Sequence, residues 1–141
     1  MIVQGQTTIF KQNILSGLEN FAVGTPYTYK IALYNALANL DNTTLTYTSV
    51  NEVTGSGYTA GGLALTVIPP ASSNTANTAY VSFNPAVWTG ASFTTRGALI
   101  YNATTGAAVC VLNFGSDKMA AGTFTINFPT ADASNAILRI S

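Results

Sequence analysis

The chain has 141 residues, of which five are Lys or Arg and five are Asp or Glu, with no His, one Cys and a formal net charge of zero. Charged residues make up 7% of it, against about 25% in ordinary soluble domains. This composition excludes imidazole general bases, Ser-His-Asp triads, most zinc sites and the basic face that a nucleic acid needs.

The length predicts one domain with its own core, and 48% apolar residues argue against disorder. No run approaches the roughly 18 consecutive apolar residues of a membrane span. Met1-Ile2-Val3-Gln4-Gly5-Gln6 has no basic stretch leading into an apolar run, so no secretory leader is expected. A near-neutral surface protects poorly against association, which points to a part that works inside an assembly.

The first predicted element is the one helix, Thr7 to Leu18. Ile9, Phe10, Ile14, Leu15 and Leu18 recur at helical spacing, Thr7 or Thr8 is placed to cap the start, and Gly17 weakens the end. Everything after Thr25 reads as strands and turns. Tyr27 to Tyr34 alternates, with Tyr27, Tyr29, Ile31 and Leu33 on one face and Thr28, Lys30, Ala32 and Tyr34 on the other. Asp41-Asn42 is a turn signal, and Asn35 to Gly57 reads mostly as loop around a short strand at Leu45–Thr48.

Tyr58 to Val67 reads as a strand entry followed by a strand, with Gly61-Gly62 permitting a bulge or a close backbone approach. Pro69-Pro70 is expected to end it, with a polar loop over Ala71–Asn77. Ala79–Phe83 is the next strand, stopped by Asn84-Pro85. Val87–Phe93 holds the one Trp, Trp88. Thr94–Tyr101 and Ala107–Phe114 form a hairpin around Asn102–Gly106. Gly115–Lys118 is expected as a loop, Thr123–Phe128 as an alternating strand stopped by Pro129, and Ala136–Ile140 as the last strand.

About seven or eight short strands with frequent turn signals predict an all-β fold, an antiparallel β-sandwich or jelly-roll-like barrel with one short N-terminal helix. Residues 1–24 are expected as an N-terminal arm that anchors on a neighbour, and 25–141 as a single β-sandwich domain.

The side chains that carry chemistry are few. Glu19, Asp41, Glu52, Asp117 and Asp132 show no spacing that pairs two of them across a cleft as a glycosidase requires. Gly55-Ser56-Gly57 lacks the following Lys and the helix of a phosphate loop and reads as a flexible turn. Cys110, alone in an apolar strand, reads as a small buried side chain. The seven tyrosines and Trp88 suit packing or subunit contact better than a carbohydrate platform. Arg96 and Lys118 read as strand-edge charges, or as ion-pair partners of Asp117 or Asp132 across a subunit boundary. No catalytic residue, cofactor or metal site is expected.

Three segments, Tyr29-Lys30-Ile31-Ala32-Leu33-Tyr34, Asn51 through Gly62, and Arg96-Gly97-Ala98-Leu99-Ile100-Tyr101-Asn102, resemble in this order the small virion structural proteins of tailed bacteriophages. Asn113-Phe114-Gly115-Ser116-Asp117-Lys118 and Gly122 through Pro129 fit the same group. The resemblance implies a particle component located in the virion after assembly in the host cytoplasm, with no catalytic residues to carry over. It implies a capsid decoration or cement protein bound to the major capsid protein, or else a tail, neck or baseplate part or short fibre; a carbohydrate-binding module is a third reading. A homo-oligomer, with a trimer suiting a quasi-threefold position, is the expected assembly, with no nucleic acid or membrane partner. Phe10, Ile14, Leu18, Arg96, Asp117 and Lys118 are the candidate interface residues.

Overall fold

The computed structural model describes residues 1–141 and is built from eight strands and one helix. In chain order these are β1 (Gly5–Gln6), α1 (Thr8–Leu15), β2 (Tyr29–Tyr34), β3 (Leu63–Ala64), β4 (Val67–Ser73), β5 (Thr78–Phe83), β6 (Ala86–Asn102), β7 (Ala108–Ile126) and β8 (Leu138–Ile140). The strands form two antiparallel sheets, one of five strands in the order β1-β7-β6-β2-β3 and one of three in the order β4-β5-β8. The predicted all-β class takes its sandwich form.

The helix is shorter than its apolar spacing suggests because both ends are capped. Thr7 Oγ1 accepts from the Phe10 N–H at 3.2 Å and donates to the Ala108 carbonyl at 2.9 Å, so one hydroxyl starts the helix and ties it to β7. At the other end Gly17 adopts φ +71°, Leu18 N–H reaches the Asn13 carbonyl at 2.8 Å and Gly17 N–H the Ile14 carbonyl at 3.2 Å. That paired 6→1 and 5→2 closure is a Schellman motif, and it leaves Leu18 outside the helix.

The core lies on both sides of the five-stranded sheet. Between the sheets, Ile31, Leu33, Ile100 and Val109 meet Val81, Phe83 and Leu138 from the smaller sheet. On the opposite face Ala32, Tyr34, Leu99 and Val111 are covered by Ile2, Ala38 and Leu40. The alternation read in β2 is therefore real, but both of its faces are buried, as in a central strand. Residues 1–24, expected as an arm, run along this body: the Met1 ammonium donates to the Ala38 carbonyl at 2.9 Å, β1 pairs with Cys110–Val111, and Phe10 is 1% exposed in the core.

Four sequence expectations need correction. Val87–Phe93 and the hairpin strand after it are one 17-residue strand, β6, paired along its length with the 19-residue β7. The loop expected at Gly115–Lys118 is absorbed into β7 as a wide bulge: Thr95 pairs with Lys118 and Gly97 with Asn113, so four residues bow out opposite Arg96. Pro69-Pro70 does not end its strand, because β4 is an edge strand that tolerates missing donors across a register shift between Ile68 and Ala71. The strand expected after the Tyr58 entry is interrupted, β3 covering only Leu63–Ala64 and β4 starting at Val67, while Gly62 makes the close backbone approach allowed for the glycine pair: a Cβ there would sit 1.8 Å from the Ile31 carbonyl oxygen.

Candidate functional site

Glu52, Asp41 and Asp132 are engaged within the fold. Glu52, 7% exposed, accepts from Tyr58 OH at 2.6 Å, Tyr47 OH at 2.6 Å and the Gly61 N–H at 2.7 Å. Tyr101 OH, stacked on Tyr47, donates to the Gly61 carbonyl, and Tyr34 OH to the Thr48 carbonyl, both at 2.6 Å. Burial, with the Glu52 charge adding to it, pushes the hydroxyls of Tyr34, Tyr47, Tyr58 and Tyr101 upward, so they remain donors. Asp41 accepts from Thr43 N–H and hydroxyl, and Asp132 from Ser134 N–H and the Asn135 amides. These bonds hold both carboxyls below the usual range, the Thr43 hydroxyl dominating for Asp41 and the Asn135 side chain for Asp132.

Two places on the surface remain as candidates. The first is a cleft of about 180 Å³ between α1 and the three-stranded sheet, walled by Phe10, Ile14, Phe21, Tyr80, Leu138 and Ile140. Phe21 stacks on Tyr29 at 4.3 Å and meets Phe10 and Phe83 edge-on, which fixes the floor. Glu19 stands at this wall. Its Oε2 accepts from Tyr29 OH at 2.8 Å and Asn102 Nδ2 at 3.2 Å, while its buried Oε1 has no partner by hydrogen-bond geometry. Burial raises its pKa, outweighing the opposing effect of the Tyr29, Asn102 and Asn13 hydrogen bonds.

Of the predicted interface residues, Phe10 and Ile14 line this cleft, Phe10 as part of the core and Ile14 half-buried; Leu18 is exposed just past the helix. Phe21, Leu138 and Ile140 carry no functional expectation from the sequence, and Glu19 and Tyr80 enter it only as one of five carboxylates and one of seven tyrosines. Glu19 alone carried a local sign, a carboxylate directly after an apolar helix; the others come together only through the sandwich topology.

The second place is the outer half of the β6–β7 ribbon. Here β6 alternates, with Trp88, Ala91 and Phe93 buried and Val87, Thr89, Ser92 and Thr94 exposed. Met119, Ala121, Thr123 and Thr125 of β7 are likewise exposed. Gly55-Ser56-Gly57, expected as a flexible turn, closes the free edge of β6: Ser92 N–H donates to the Ser56 carbonyl at 2.9 Å, and a Cβ on Gly57 would lie 2.7 Å from the Gly90 oxygen. Arg96, Asp117 and Lys118 sit together at the inner end of this ribbon. Arg96 Nη1 pairs with Asp117 Oδ1 at 3.3 Å within the chain, and Lys118 Nζ donates to Ser116 Oγ at 3.1 Å. The pair is largely exposed and contributes at most about 1 kcal/mol.

Trp88 is 2% exposed, packed by Phe124 and Tyr58, and so is not a ring on which a sugar can stack. Cys110 is 3% exposed, and burial pushes its thiol up to about 12. No three His, Cys, Asp or Glu side chains gather as a metal site, and no helix is long and apolar enough to cross a membrane. No protein-family model, curated protein or solved structure matches the chain.

Proposed function

We propose that this protein is a structural component of a tailed-bacteriophage particle, a capsid decoration or cement protein that seats on the major capsid protein. The observation that carries the reading is the apolar cleft beside α1, an uncovered seat for an apolar side chain of a neighbour. Ile140 adds exposed apolar surface at the cleft, and Leu15 and Leu18 are exposed on and just past the helix that forms one wall of it. A body buried on both faces of its main sheet supplies the rigidity that a shell fastener needs. A non-catalytic role is consistent with Glu52, Asp41 and Asp132, whose carboxylates are held by donors of their own chain.

Co-sedimentation of the purified protein with DNA-filled heads and, separately, with tails tests this. Binding to heads, lowered about tenfold or more by Leu18→Asp or Ile140→Asp, is the expected result. Binding to tails alone would replace the capsid reading by the tail, neck or baseplate one. Binding to neither would overturn both.

A further inference from the structure

We propose that the outer half of β7 is a self-association seam, where two copies of this chain pair antiparallel through Lys118–Ile126 about a twofold axis at Gly122. β6 covers one edge of β7 on both sides of its bulge, but β1 covers the other only at Cys110 and Val111. No backbone hydrogen bond from another element reaches the open edge beyond that point. An unpaired row of N–H and C=O groups is matched only by another extended backbone. Natural edges are usually blocked by Lys or Pro; this one has a Lys only at its end, Lys118, and Met119-Ala120-Ala121-Gly122-Thr123-Phe124-Thr125 carries neither charge nor proline.

The chain itself indicates which strand fits. Its other edges are short or blocked: β1 and β3 have two residues each, β8 has three with Gln6 bonded to its Arg139 carbonyl, and β4 contains Pro69 and Pro70. A head-to-tail ring through strand edges, including the expected trimer, would need a second long open edge; the outer half of β6 is closed at its middle by the Ser56–Ser92 bridge and the Gly57 approach. The open edge of β7 can match itself, which makes the contact isologous and the symmetry twofold.

Charge and pleat select the register. Ala120 and Ile126 are buried and Phe124 half-buried on the inner face, while Met119, Ala121, Thr123 and Thr125 are exposed on the outer. Faces match across the seam only if the axis passes through a residue. At Gly122, which has no side chain and where the strand bends at φ +101°, the two bends coincide. Ala121 then faces the partner subunit's Thr123, Met119 the partner's Thr125, and Lys118 the partner's Ile126. The two Arg96–Asp117–Lys118 groups fall at opposite ends of a seam about 27 Å long, so no like charges meet. The proposal is independent of which particle surface the protein occupies.

Sedimentation velocity of the full chain from about 1 to about 300 µM, the range suited to a seam at the small end of protein interfaces, tests it. The mass is expected to rise from 14.7 kDa toward twice that value. Ala121→Lys/Thr123→Lys puts like charges directly opposite and is expected to weaken the dimer about tenfold or more, whereas Ala121→Lys/Thr123→Glu pairs opposite charges and restores it. Amide exchange on the unmodified protein supplies a readout free of substitutions: protection of 118–126 should grow with concentration. A monomer throughout, a trimer, a Lys/Lys variant that dimerises like the wild type, a Lys/Glu variant that fails like the Lys/Lys one, or exchange at 118–126 that ignores concentration would overturn it.

Discussion

The hydroxyl of Tyr58 lies between the Leu33 N–H, from which it accepts at 2.9 Å, and the Glu52 carboxylate, to which it donates at 2.6 Å. One side chain thus joins the backbone of a central strand to a buried charge. Val53 N–H completes the seam on the Leu33 carbonyl at 2.9 Å. Through these bonds a long stretch with little regular structure of its own is held against β2.

Glu52→Ala leaves three donors unpaired, the hydroxyls of Tyr47 and Tyr58 and the Gly61 N–H. It should cost about 3–5 kcal/mol. Glu52→Gln keeps one acceptor oxygen and should cost about 1–2 kcal/mol. Urea unfolding midpoints at neutral pH measure both; equal and small losses would show that the cluster does not hold the loop.

Glu19 sets part of the acid side of the stability profile. Burial raises its folded pKa above the ordinary 4.5, so the folded state binds the proton more tightly than the unfolded one. Its contribution is full below that value and fades as pH rises through the folded pKa. Asp41 and Asp132 act oppositely, since their lowered pKa values give stability that is lost as pH falls below the ordinary 3.8. Glu19→Gln is expected to flatten the decline above pH 4.5 and leave the acid limb unchanged. A wild-type slope retained in the variant contradicts this.

Gly62 and Gly106 have nearly the same φ, +78° and +83°, but different surroundings. A Cβ at Gly62 collides with the Ile31 carbonyl, whereas one at Gly106 meets nothing within 4 Å. Gly106→Ala should cost about 1–2 kcal/mol for the left-handed backbone alone. Gly62→Ala should cost about 3 kcal/mol or more, because β3 must leave β2. Thermal midpoints of the two variants rank them; the reverse order would remove the close-approach argument.

Cys110 should resist modification in the native state. With its thiol at about 12, the thiolate fraction at pH 8 is on the order of one in ten thousand, and burial also denies access. Reaction with an aromatic disulfide reagent is expected to be very slow in buffer and rapid in denaturant. Fast reaction in buffer would mean that the inner half of β7 opens readily.

The sequence was most legible where one periodicity met one environment. Phe124 and Ile126 alternate toward the core as their pattern indicates, and the Asn102–Gly106 turn joins its two strands. It was less legible where burial came from both sides, as at Ala32 and Tyr34, whose cover is supplied by Ile2 and Leu40. Gly115 and Asp117 have loop chemistry, but they form a bulge because Lys118 and Asn113 regain the ladder on either side. The cleft was not readable, since Phe10, Phe21 and Leu138 are far apart in the chain and meet only through the packing of the small sheet.

Cryo-electron microscopy of the phage particle to which we propose the protein belongs is the decisive measurement. Density for this sandwich is expected on the outer shell of the head, with the cleft between α1 and β8 occupied by an apolar side chain of the capsid protein. Particles whose heads lack it, or a head-bound protein whose cleft faces open solvent, would overturn the capsid-decoration proposal.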